Sequence, residues 1–138
     1  MKQPSTFVLD SFALLAFFQQ EVATETVEAL LNRSRKGEAR LLITTVNLGE
    51  VAYRILRRFG LEKVQEVLAR IQEYAVEIVD VDYELALAAA YLKGTYTMGY
   101  ADCFAAALSQ QESATLVTGD PDFRQVEDFI PVEWLPVT

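Results

Sequence analysis

Four acids stand at points where this 138-residue chain passes from a strand into a helix, or enters a helix from the same side: Asp10, Glu50, Asp102 and Asp120. The sequence contains no histidine. Histidine is the commonest general base and the usual zinc or transition-metal ligand. Its absence excludes Ser-His-Asp and Cys-His nucleophiles, histidine-paired phosphodiester cleavage and His-based zinc sites. Carboxylates and hard cations are left to carry any chemistry. Oxygen-only ligands select Mg²⁺ or Mn²⁺. Two such ions, about 3.5–4 Å apart, can lower the pKa of a bound water and clamp the oxygens of an in-line phosphoryl displacement.

Each acid also has an ordinary structural reading. Asp10 is a preferred N-cap residue, although Ser11 beside it can cap the helix and leave Asp10 free. Asn47-x-x-Glu50 has capping-box spacing, and Glu50 can pair with Arg54 one turn on for about 0.2–0.5 kcal/mol. Asp102 lies in a first helical turn, where the macrodipole favours any acid. Asp120 falls in Thr118-Gly119-Asp120-Pro121-Asp122, a composition typical of turns. Their joint placement is the stronger signal. In a parallel sheet all four positions fall on one rim, where four carboxylates repel unless cations lie between them.

The elements that must position these acids follow from apolar runs and periodicity. Thr6 to Leu9 reads as a buried strand delivering Asp10 to its C-terminal edge, where ligands bind in open α/β sheets. The helix that follows covers Phe12 to Gln19. A second helix opens at Ala23-Thr24-Glu25 and ends near Arg35, stopped by Lys36-Gly37. Arg40–Thr44 is a strand, Asn47–Phe59 a helix stopped by Gly60, and Leu61–Tyr74 a helix with Val64, Val67, Leu68 and Ile71 on one face. Val76–Val81 is a third strand. Asp82 caps a fifth helix running to Lys93-Gly94, and Asp80 reads as a solvated edge residue. A sixth helix spans Tyr100 to about Gln110 and Ala114–Thr118 is a strand. A short helix near Phe123–Val126 and an edge strand Pro131–Leu135 close the chain. Strands alternating with helices imply a doubly wound α/β domain, with a mostly parallel sheet of four to five strands and helices on both faces.

Length and composition agree with one globular domain over residues 1–138, 51% hydrophobic and 23% charged. The longest apolar run, Phe12 to Phe18, is too short to span a bilayer. A single cysteine, Cys103, precludes an internal disulfide and suits a reducing cytoplasm; within an apolar helix it is expected to be inert. The net charge of −8 argues against holding nucleic acid by bulk attraction. It leaves room for an enzyme whose acids are neutralised locally by cations. Arg54, Arg57 and Arg58 share a helix face with Glu50 and can lead phosphates toward it, or pair with Glu62 and Glu66. Arg33, Arg35, Lys36 and Arg40 read as a helix end and its loop. Tyr96 and Tyr100 flank the entry to Asp102, where either can stack on unpaired bases or pack on neighbouring helices.

Four stretches in order resemble the PIN-domain signature. They are Val8-Leu9-Asp10-Ser11-x-Ala13-Leu14-Leu15, Asn47-x-x-Glu50-Val51, Tyr100-Ala101-Asp102-x-Phe104-Ala105-Ala106-Ala107-Leu108, and Leu116-Val117-Thr118-Gly119-Asp120-Pro121-Asp122-Phe123. Their order and spacing are similar to the small VapC-type toxins of toxin–antitoxin pairs, over essentially the whole chain. The resemblance implies an Mg²⁺- or Mn²⁺-dependent endoribonuclease, commonly a homodimer, silenced by a cognate antitoxin. It implies that Asp10, Glu50, Asp102 and Asp120 are the catalytic and metal-binding acids, with Asp10 and Asp102 holding the principal ion. Thr118 would be a supporting hydroxyl that orients Asp120 or a bound water, and Asp122 a supporting acid. Two other readings compete: a PIN fold kept as a binding or scaffold module, and another phosphoryl-transfer domain. A receiver domain wants paired acids near strand one and a late lysine, yet Asp10 stands alone and no lysine follows Lys93. A dehalogenase-like phosphatase wants an acid where Phe12 stands.

Overall fold

The computed structural model describes residues 4–137. Five strands form one wholly parallel sheet: β1 (Ser5–Leu9), β2 (Ala39–Thr44), β3 (Glu77–Val79), β4 (Thr115–Thr118) and β5 (Val132–Trp134), in the order β3-β2-β1-β4-β5. β1 is central, with Val8 beside Leu42 on one side and Leu116 on the other. The chain winds outward from β1 through β2 to β3, then returns to the opposite side of β1 for β4 and β5. The place where the winding reverses lies between β1 and β4. Ligand crevices open there, at the carboxyl ends of the strands.

Alternation along the strands divides the interior in two. Leu9, Leu41, Ile43 and Val117 face a cluster shared with α1 (Ser11–Phe18), α2 (Thr24–Arg35), α3 (Thr45–Phe59) and α4 (Leu61–Glu73). Val8, Leu42 and Leu116 face a second cluster with α5 (Tyr83–Thr95), α6 (Tyr100–Glu112) and the 3₁₀ turn Pro121–Val126. With both faces covered, the strands need continuous apolar runs such as Leu41-Leu42-Ile43.

The expected elements are present with shifted ends. β3 is shorter than Val76–Val81 because it is an edge strand, with Ile78 exposed. α4 stops at Glu73 as Tyr74 and Ala75 turn the chain, Ala75 in the left-handed region at φ 58°. α6 runs two residues past Gln110 and ends with Ser113 at φ 50°.

Two caps bear on the rim, and the second differs from the sequence reading. Asp10 itself caps α1, its Oδ1 accepting from the Ala13 N–H at 2.9 Å, so Ser11 does not replace it there. α3 begins at Thr45, capped by Thr44, whose Oγ1 accepts from the Asn47 N–H at 3.0 Å. Asn47 therefore lies inside the helix, and the Asn47-x-x-Glu50 capping box does not form. Its buried amide instead bridges two elements: Oδ1 accepts from the Thr44 hydroxyl at 2.6 Å, and Nδ2 donates to the Ala101 carbonyl at 3.0 Å. That bond ties the start of α3 to the first turn of α6.

Replacing Asn47 with alanine would leave the Thr44 hydroxyl without this acceptor in a buried site. Asn47→Ala is expected to lower stability by about 1–3 kcal/mol, read as a reduced urea midpoint with an unchanged m-value.

Candidate metal centre

The C-terminal rim of the sheet carries a cleft of about 430 Å³ lined by Glu50, Arg54, Asp102, Asp120 and Asp122, with Phe12 and Ser11 among its other walls. Asp102, Asp120 and Asp122 each offer an oxygen, and these three atoms lie within 4.8 Å of one another. Asp102 enters from the first turn of α6, while Asp120 and Asp122 come from the turn after β4. The Asp122 N–H donates to Asp120 Oδ1 at 2.9 Å, which winds the turn so that both carboxylates face the cleft.

Asp10 lies beneath this cluster, almost fully buried. While Oδ1 caps α1, Oδ2 accepts a short hydrogen bond from the Thr118 hydroxyl. Thr118 Oγ1 also accepts from the Asp120 N–H at 3.0 Å. The hydroxyl thus orients Asp10 directly, and reaches Asp120 only through its backbone. Glu50 stands on the flank of the cleft with its side chain 16% exposed. Its Oε1 accepts from the Ser11 hydroxyl at 2.6 Å, and Oε2 lies 3.5 Å from Arg54 Nε.

All four expected acids therefore reach one rim, but in different roles. The three-oxygen cluster contains Asp102 and Asp120; it does not contain Asp10, whose two oxygens are engaged below. Asp122, expected only as a supporting acid, belongs to the cluster. Ser11 and Asn47 act here without having been singled out for it, because their partners lie 39 and 54 residues away.

Gly119 is a further constraint. A Cβ at this position would lie 2.4 Å from Phe12 Cε1 and 2.8 Å from Val137 Cγ1, so the turn between Thr118 and Asp120 passes where no side chain fits.

The arginines divide along similar lines. Arg54 pairs with Glu50 rather than with Glu62 or Glu66, Arg57 lies over the Tyr53 ring, and Arg58 donates to Gln19. Arg33 and Arg35 cover Phe7 and Tyr74, and Arg40 makes a two-pronged pair with Glu77, all of them structural contacts. Asp82 caps α5 as expected and Asp80 is exposed. Cys103 is buried, which pushes its thiol pKa up.

Concentrated acids in a partly dry site shift their own titration. Burial is the largest cause raising the Asp10 carboxyl from 3.8 to about 7, against the lowering hydrogen bonds from Thr118 and Ala13. Burial again leads for Asp102, raised to about 7, followed by the charges of Asp120, Glu50 and Asp122. An all-oxygen cluster under such mutual repulsion fits a hard divalent cation. Among the described residues, no hydrogen-bond donor is seated on the Asp102 or Asp122 carboxylate.

Both raised acids hold a proton more tightly folded than unfolded. Their stabilisation is complete below about pH 4 and is lost as pH rises through about 7. Metal-free protein is therefore expected to melt at a lower temperature at pH 7.5 than at pH 5. Mn²⁺ at a hundred times its Kd should return about 2.7 kcal/mol at pH 7.5, and much less at pH 5. Gly119→Ala is expected to cost about 1–3 kcal/mol and to weaken this Mn²⁺ response, measured by the same melts.

Comparison with known proteins agrees with this geometry. The chain is similar in structure to VapBC2 from Rickettsia felis bound to a DNA fragment from its promoter, with TM-score 0.77 and 18% identity over 95% of this chain and 99% of that one. It is similar to Mycobacterium tuberculosis VapC20, a Sarcin-Ricin loop cleaving toxin, with TM-score 0.74 and 17% identity over 94% and 99%. DNA-bound VapBC from Salmonella typhimurium gives TM-score 0.73 and 17% identity over 94% and 97%. At these identities the likeness is one of fold. No curated protein sequence matches. The PIN domain model matches residues 7–128, from β1 through the turn that bears Asp120 and Asp122, and the chain accordingly belongs to the PIN domain family.

Proposed function

We propose that this PIN domain is a divalent-cation-dependent endoribonuclease, the toxin of a toxin–antitoxin pair, with residues 1–138 acting as one catalytic domain. The observation that carries the reading is the convergence of Asp102, Asp120 and Asp122 oxygens within 4.8 Å in an open cleft. Those three acids would hold Mg²⁺ or Mn²⁺, with Asp10 adding negative charge from below and Glu50 closing the flank. When bound, such a cation supplies charge neutralisation and water activation for in-line displacement at phosphorus.

The chain's own groups do the positioning. Thr118 and the α1 N-terminus hold Asp10 in one orientation, and Ser11 holds Glu50. Arg54, 56% exposed, lies beside Glu50 in the cleft wall. Its guanidinium is suited to receive the phosphate oxygens of an approaching strand. An RNA substrate is taken by analogy from the Sarcin-Ricin loop cleaving toxin, and a protein antitoxin from the VapBC assemblies of similar fold. An acidic cleft on a chain of net charge −8 suits an inhibitor that inserts cationic side chains. We further propose a homodimer acting in the cytoplasm. Among the described residues no helix is long and apolar enough to cross a membrane.

Single-stranded RNA should be cut by the purified chain with Mg²⁺ or Mn²⁺ and left intact with chelator. Asp102→Asn should abolish cleavage, whereas Thr118→Val, which frees Asp10, should slow it by about 10- to 100-fold. Cleavage that persists with chelator and in Asp102→Asn would refute the mechanism.

A further inference from the structure

Beside the acid cleft lies a second pocket of about 330 Å³, whose walls include Val46, Tyr53, Tyr100 and Ala101. Glu50, Gly99 and Asp102 line both cavities, so the two share a wall. Two aromatic rings in its wall stay open to solvent: Tyr53 is 44% exposed and Tyr100 48%. Each ring has a packing partner. Arg57 sits over the Tyr53 ring at 4.9 Å from its centroid, and Tyr100 rests on buried Phe104 with centroids 4.8 Å apart. Tyr96, the other tyrosine near this loop, is instead packed against Phe129.

We propose that this side pocket is a nucleobase subsite that takes one unpaired base of a single-stranded RNA next to the scissile phosphate. The inference rests on the nuclease reading above. A phosphate drawn toward Asp102, Asp120 and Asp122 by a cation held there would bring a flanking base to Glu50 and Asp102, the shared wall of the two pockets. Every base has a π-face, and stacking on aromatic rings is how proteins hold bases that are not paired. Arg54 lies on the same helix as Tyr53 and lines the acid cleft, where it can meet the strand's phosphates as its base enters the pocket. Rings already packed against a neighbour lose less freedom on binding.

The test uses the full chain carrying Asp102→Asn, so that RNA is bound without being cut, and fluorescent single-stranded RNA oligonucleotides followed by anisotropy. Adding Tyr53→Ala or Tyr100→Ala should weaken binding by about 5- to 100-fold, while Tyr53→Phe and Tyr100→Phe should bind like the parent. On the active chain, the alanine variants should raise KM more than they lower kcat, and should relax base preference at a single nucleotide beside the cut. Thermal melts identify any alanine variant that fails to fold, and the phenylalanine-to-alanine contrast is then read at the other tyrosine. Metal-dependent cleavage with unchanged KM and base preference in both alanine variants would overturn the subsite and leave the nuclease reading intact. Equal affinity for duplex and single-stranded RNA would also overturn the subsite. So would unchanged RNA binding with lost binding of an arginine-rich peptide, which would make the pocket a protein-docking surface. If the parent chain neither binds nor cuts RNA, both readings fall together.

Discussion

Like charges brought together in a partly dry cleft are the constraint around which this molecule is built. Asp10 is held below the cleft by donors from two distant parts of the chain, the Ala13 amide and the Thr118 hydroxyl. Three more carboxylates converge above it. Burial and mutual repulsion both oppose ionisation of such a group, and only fixed donors or a cation relieve them. The surrounding bonds, Ser11 to Glu50 and Asn47 to Ala101, can be understood as the means of holding the rim closed against that repulsion. A protein core alone would gain nothing from this arrangement, since apolar residues of similar volume are cheaper to bury.

The sheet provides the rigidity. β1 and β4 are adjacent and parallel, so the residues that leave their carboxyl ends, Asp10 and Gly119-Asp120, emerge side by side. α3 and α6 approach the same edge from opposite faces of the sheet, bringing Glu50 and Asp102. Because the helices on each face are anchored by separate apolar clusters, the acids inherit their separation from the packing of the two layers. Asn47 links the two layers at the rim from inside the fold, which gives a single buried amide its structural weight.

Much of this was legible from sequence. Apolar runs ending in acids placed the strands, and the alternation of strands and helices gave the parallel, doubly wound sheet. The four acids were found because each sits at a transition that pattern analysis detects. What escaped was set by contacts between distant residues. Nothing near Asp10 reveals that Thr118 bonds to it, and nothing near Asp122 reveals that its carboxylate meets that of Asp102. Asn47 fits a capping box until Thr44 is seen to take the cap. Gly119 reads as an ordinary turn glycine, and its necessity appears only when Phe12 is found pressed against the same point. Local chemistry is written in local sequence; the partners that tune it are not.

The central position of β1 also bears on how the molecule comes into being. Asp10 is synthesised 108 positions before its partner Thr118. At synthesis rates of about 5–20 residues per second, a nascent chain spends several seconds with its first acid made and its last three, Asp102, Asp120 and Asp122, not yet assembled around it. The innermost strand lacks one neighbour throughout that interval. Any activity of the acid rim is consequently withheld from the growing polypeptide until β4 and the turn that follows it have been made.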